Sequence, residues 1–209
     1  MQTQSEAQSP ALDRRVRRSR AALMRAAVEL VTERGTAAVP LSDIAEAADV
    51  SRRVVYQHFG DRDALLLEAG LDLARRELLP QLADAAPGTT AREQTLATAR
   101  HFADHRVFYK ALLTGSCGFP LDRGLIGLLL PVNRQHVQQM FGDRLDPQIV
   151  EDLATCLAGA GSAFFTTWIV DGADPLEPQA FTDRLMRILS VLIAALRPTP
   201  STPDLETPQ

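Results

Sequence analysis

The chain has 209 residues, 45% of them hydrophobic and 5% aromatic, with a formal net charge of -4. That length and apolar content suit one or two compact domains. The acidic balance excludes a generally basic nucleic-acid coat, and no apolar stretch is read as reaching the roughly 18 residues of a membrane span.

Ala and Leu abound and Val and Ile do not alternate, which favours helix over sheet. Residues 1–13 are polar and are expected to be disordered; with no apolar leader there, a soluble cytoplasmic protein is expected. In residues 14–34, Val16, Ala22, Leu23, Ala26, Ala27, Leu30 and Val31 recur every three to four positions, an amphipathic helix that Gly35 stops. Short helices are expected over 41–48 and 52–59, the second capped by Ser51. Asp61 caps a longer one over 62–79, which Pro80 ends. Pro87 and Gly88 mark a linker. Thr90 and Glu93 have capping-box spacing, and helices follow over 91–104 and 106–114. Gly115, Gly118 and Pro120 read as loop. Further helices cover 122–141, bent near Pro131, then 147–170 and 178–196. Four prolines make 198–209 a disordered tail.

Charge is unevenly placed. Residues 1–80 balance 12 basic against 12 acidic residues, and the deficit lies wholly beyond them, 10 against 14. Arg14, Arg15, Arg17, Arg18 and Arg20 crowd one stretch, enough to dock on phosphate. A solvated helix start would look the same.

The informative segment is residues 41–59. Two short helices packed nearly at right angles need a small residue where they cross, and Ala45 fits. Four positions on, the turn needs a residue that tolerates positive φ. Asp49 stands there, among the few non-glycine types enriched in that region. Val50 and Val55 then point inward. These are helix-turn-helix constraints. The second helix would present Arg52, Arg53 and Gln57, suited to guanine and adenine edges in the major groove. Tyr56, Ser42, Ser51, Arg17 and Arg62 are placed to meet phosphate.

The run Ile44-Ala45-x-x-Ala48-x-Val50-Ser51, then Tyr56-x-His58-Phe59 and Asp61-Arg62-Asp63-x-Leu65-Leu66, resembles the N-terminal signature of the TetR family. Ala26, Ala27, Leu30 and Gly35 match its first helix, so the resemblance covers about residues 14–70. Arg53 and Val54 stand where the family often has a small residue and Thr. The resemblance implies an all-α fold: an N-terminal three-helix helix-turn-helix domain (14–62), a connecting helix (63–80) and a helical ligand-binding and dimerisation domain (81–197). It implies a homodimeric regulator of double-stranded operator DNA, a repressor released by a small-molecule effector.

In the second domain, Phe102, Phe108, Tyr109, Leu112, Met140, Phe164, Phe165 and Trp168 are candidates for an effector pocket, although aromatics at helical spacing are more often core. Gly159 and Ala163, with Leu185, Ile188 and Leu192 of a stripe that includes Leu189, Ile193 and Leu196, are candidates for the dimer face. His101 and His105 stand four apart, but no third ligand is adjacent in sequence, so no metal site is expected. Cys117 and Cys156 are expected to be buried or half-buried thiols. No phosphate loop, paired-cysteine motif or nucleophile elbow appears, so no enzyme activity and no cofactor are expected.

Overall fold

The computed structural model describes residues 10–83 and 89–196. The expected tail, most of the expected disordered N-terminus and the Pro87-Gly88 linker lie outside the described residues. Among those described, the fold is all-helical, with no strand.

Helix α1 (Pro10–Arg34) begins four residues ahead of the expected start. Pro10 suits a first helical position, because its missing N–H would have no intrahelical partner there. Gly35 ends the helix at φ 64. α2 (Leu41–Ala47) and α3 (Arg52–Phe59) follow. Leu23, Ala27, Val31, Val39, Ile44, Val55, Leu65 and Leu66 are buried together and form the small core of this unit.

α4 (Arg62–Leu73) is capped as expected, Asp61 accepting from the Ala64 N–H at 2.7 Å. It does not stop at Pro80. A π-helical turn (Ala74–Leu78) interrupts it, and α5 (Leu79–Ala83) continues the rod. Pro80 falls where the hydrogen-bond register returns from π to α, a position that spares a regular α bond. α6 (Ala91–Asp104) opens with the expected capping box. The Thr90 N–H donates to Glu93 Oε2 at 2.7 Å.

α7 (Arg106–Leu113) leads into α8 (Gly118–Phe141), which starts earlier than expected. Pro120 sits in its first turn, where no N–H partner is lost. Pro131 lies inside this helix. A 3-10 turn (Gly142–Arg144) precedes α9 (Pro147–Asp171), and α10 (Pro178–Leu196) completes the described chain.

α1 packs on α4 and α7, α8 runs along α9, and α10 packs on α6. One apolar core therefore runs from the small N-terminal unit through α4 into the larger bundle. Gly70 makes the close approach possible: an added Cβ would come within 3.0 Å of Leu121 Cδ1.

Two further sequence expectations change. Cys156 is exposed, whereas Cys117 is buried. And α9 is, by length and composition, apolar enough to cross a membrane, contrary to the estimate above. From Leu153 to Val170 it carries no charge. Small residues and threonines dilute its hydrophobicity enough to hide the run. Little of it is buried within the single chain.

Candidate nucleic-acid interface and cavity

The α2–α3 turn is built on Asp49, the one non-glycine residue at positive φ (52°) among those described. Its N–H donates to the Glu46 carbonyl, and the Val50 N–H donates to the Ala45 carbonyl, both at 3.0 Å. Ala45 and Ile44 are buried beneath the crossing. Asp49→Gly should leave stability within about 1 kcal/mol of the parent, since relief of backbone strain opposes the greater unfolded-chain entropy of glycine. Asp49→Val should lose about 1–2 kcal/mol through the same backbone angle. Urea denaturation midpoints check the pair, and equal midpoints would remove the turn argument.

α3 is sharply two-sided. Val55 is fully buried, and Phe59 packs on the core. Ser51, Arg52, Arg53, Tyr56 and Gln57 are all exposed, Tyr56 to 59%. Ser51 occupies the N-cap in extended conformation, yet its side chain makes no cap hydrogen bond. Arg17 is exposed on α1, with Arg14, Arg15 and Arg18 around it.

Three polar side chains of this region are already engaged. Ser42 donates to Asp43 Oδ1 at 3.1 Å, and Arg34 reaches Asp43 Oδ2 at 2.7 Å. The Arg34 hydrogen bond, then that of Ser42, holds the Asp43 carboxyl below its ordinary range. Arg62 folds back on Asp63 at 3.0 Å. Both pairs are half-exposed, so a phosphate can exchange for the carboxylate at modest cost.

Arg20, grouped with the basic stretch by sequence, is a clamp instead. It donates to the His58 carbonyl at 2.7 Å and lies 4.4 Å over the Phe59 ring, tying α1 to α3. Burial, then the Arg20 charge, lowers the His58 pKa, so this imidazole is neutral at neutral pH.

A cavity of about 220 Å³ lies between α6, α8, α9 and α10. Of the aromatic and Met candidates, Phe102, Met140, Phe164 and Phe165 line it. Phe108, Tyr109 and Leu112 do not; they are fully buried in the core beside α4. Trp168 stacks on Phe181, with centroids 4.3 Å apart, outside the cavity. The sequence could not separate these groups, because core and cavity aromatics share one helical period.

Among the described residues, no Arg, Lys, Asp or Glu lines the cavity. Its polar groups are mostly bonded inside the fold. Thr98 donates to the Gln94 carbonyl at 2.9 Å and Asn133 Nδ2 to the Leu129 carbonyl at 3.2 Å. His136 pairs with Gln94, and burial lowers its pKa. Ser162 donates to Asp122 behind the wall.

The expected dimer residues divide. Leu185 and Ile188 face inward and wall the cavity. Leu192 also lines it but is 49% exposed, and Val191 is exposed beside it. On α9, Ala163 is exposed and Gly159 half-buried, and Ala160 and Phe164 are exposed while also lining the rim of the cavity. The side chains of Ile193 and Leu196 lie outside the described set.

Away from both sites, Glu77 joins His101 and His105, an acidic third group that sequence distance concealed.

A helix-turn-helix with a basic, exposed second helix is thus set on a larger helical bundle that holds an apolar cavity. Residues 23–69 match the family model described as bacterial regulatory proteins, tetR family, which covers the helix-turn-helix unit and less than half of the chain. An HTH-type transcriptional repressor of Mycobacterium tuberculosis is 38% identical over 95 residues, 46% of this chain and 47% of the relative. The chain thus aligns over about half the length of the curated relatives it matches. Among solved structures, a putative TetR-family transcriptional regulator from Rhodococcus sp. superposes with TM-score 0.57 at 19% identity, over 83% of this chain and 97% of that one. The fatty acid degradation regulator FadR from Bacillus halodurans gives TM-score 0.56 at 17% identity, over 85% and 99%. At these identities the solved structures speak to the fold.

Proposed function

We propose that the chain is a homodimeric transcriptional repressor that binds double-stranded operator DNA through α3 and releases it when a small-molecule effector occupies the cavity. The observation that carries DNA binding is the outward row of Arg52, Arg53, Tyr56 and Gln57 on a helix whose opposite side is core. Arg17 and Ser51 flank that row, and Ser42 and Arg62 join it by exchanging their carboxylates for phosphate. The M. tuberculosis relative's name supports the repressor assignment. We assign the chain no catalytic role and a cytoplasmic setting.

We assign the exposed strip of α9 and the outer edge of α10 to a second copy rather than to a membrane. Reading two half-sites one DNA turn apart, about 34–36 Å, requires two copies. Leu185, Ile188 and Leu192 then serve the cavity wall and the adjoining interface together. An effector that prefers a different spacing of the two α3 helices shifts the dimer away from DNA.

The uncharged lining selects a neutral, mainly apolar effector, because an ionised group would be buried without a counter-charge. A neutral medium-chain alcohol should bind at least about tenfold more tightly than the matching carboxylate, a difference of roughly 1.4 kcal/mol. Calorimetric titration measures both; a tighter carboxylate would refute the neutral class. Operator binding itself is tested by mobility shift on the DNA upstream of the gene across a salt series. Affinity that is flat with salt would exclude phosphate docking.

A further inference from the structure

His101 on α6, His105 at the α6–α7 junction and Glu77 on the π-helical turn place three potential ligand atoms within 4.8 Å of one another. His105 Nε2 lies 2.6 Å from Glu77 Oε2, and His101 Nδ1 lies 4.0 Å from the same oxygen.

The hydrogen-bond chain behind His101 fixes its tautomer. Tyr109 donates its hydroxyl to the Gly70 carbonyl at 3.2 Å. A carbonyl can only accept, so the phenolic oxygen is left to accept from His101 Nε2, 3.0 Å away. The proton of the neutral ring is therefore on Nε2, and Nδ1 is a bare lone pair. That lone pair faces Glu77, whose carboxylate is also acceptor-only. His101 is only 4% exposed. Two acceptors face each other there, and neither can donate to the other. A cation between them resolves the conflict.

We propose that Glu77 Oε2, His101 Nδ1 and His105 Nε2 bind one divalent transition-metal ion. The donor set, two imidazoles and one carboxylate, suits zinc, cobalt, nickel or iron and not the all-oxygen preference of magnesium or calcium. Metal–ligand bonds of about 2.0–2.2 Å require ligand atoms roughly 3 Å apart. The two distances to Glu77, 2.6 and 4.0 Å, bracket that value and the histidine nitrogens lie within 4.8 Å of each other, so side-chain shifts of about 1–2 Å complete the face. His105 changes tautomer as it binds, its proton moving to Nδ1. The Tyr109–Gly70 relay orients His101 from behind, as outer-shell partners of metal-bound histidines do. The Glu77 and His105 side chains are 40% and 27% exposed, which opens an entry path and leaves the other coordination positions to water.

The location gives the ion a consequence. Glu77 lies in the rod that continues α4 out of the DNA-binding domain, His101 lies on α6 of the bundle and His105 caps the end of that helix. An ion here ties the rod to the bundle at a π turn, a feature often found at functional sites.

The test uses the full chain, freed of metal by chelation and titrated with Zn2+ by calorimetry and with Co2+ by absorption spectroscopy. One ion per chain is expected, with cobalt d–d bands and no thiolate charge-transfer band. His105→Gln and Glu77→Gln should each weaken binding on the order of 100-fold, and Tyr109→Phe about tenfold. Circular dichroism and the unfolding midpoint confirm that each variant is folded, and a His136→Gln control should bind as the parent does. Equal affinity in parent and His105→Gln, a thiolate band, or no saturable binding to the parent would overturn the site. None of these outcomes depends on DNA binding.

Discussion

Alanine at Arg52 or Arg53 should weaken operator binding by about 5- to 150-fold each, that is ~1–3 kcal/mol, with preference relaxed at the base it reads. Both side chains are exposed on the outer side of α3, so removing them leaves the core untouched and the unfolding midpoint within about 0.5 kcal/mol of the parent. Gln57→Ala should act in the same range at an adenine position. Tyr56→Phe, which removes only a hydroxyl, should weaken all sequences alike and leave specificity intact. Arg17→Ala should also weaken binding uniformly and lower the salt slope by about 1.

Arg20→Ala provides the contrast. Its guanidinium holds the His58 carbonyl and covers Phe59, so its loss should appear in stability first and in affinity only through a loosened α3. Fluorescence anisotropy on matched and single-mismatch duplexes measures these effects, alongside urea unfolding. Arg52→Ala binding every duplex as tightly as the parent would remove α3 from the groove.

The turn was legible because a local rule constrained it: a crossing helix pair needs a small residue and a positive φ at fixed offsets, and Ala45 and Asp49 supplied both. The Thr90–Glu93 box was legible for the same reason. What the sequence concealed depends on distance or on competing partners. Arg20 and Arg17 look alike in sequence, yet one faces solvent and the other the α3 terminus. Arg62 could have met solvent, but the adjacent Asp63 claims it. Pro80 and Pro120 looked like stops, but each sits where the lost N–H breaks no regular bond. Phe102 and Phe108 differ by less than two helical turns, yet one lines a cavity and the other fills the core. Glu77 and the two histidines meet only because the rod passes α6, and no periodicity encodes that approach.

The second large effect concerns α9. Gly159→Arg should dissociate the dimer and reduce operator affinity on the order of 1000-fold, the gap that separates specific from non-specific binding at its lower end. Within one chain the substitution is benign. A Cβ at Gly159 would meet nothing within 4 Å, and replacing a mid-helix glycine should favour the helix by up to about 1 kcal/mol. Any harm must come from outside the chain. The strip of Gly159, Ala160 and Ala163 is small and uncharged, a surface suited to close backbone approach. Two copies related by a two-fold axis would bring two arginines into that approach, adding bulk and like charge to a desolvated contact. Gly127→Arg on α8 controls for the chemistry, because a Cβ there also meets nothing within 4 Å, yet α8 lies outside the assigned interface. It should leave mass and affinity unchanged. Sedimentation equilibrium and anisotropy on a two-half-site duplex separate the outcomes. A Gly159→Arg protein that stays dimeric and binds DNA as before would move the interface off α9. One that turns monomeric yet keeps its affinity would show that the two α3 helices do not act as a pair.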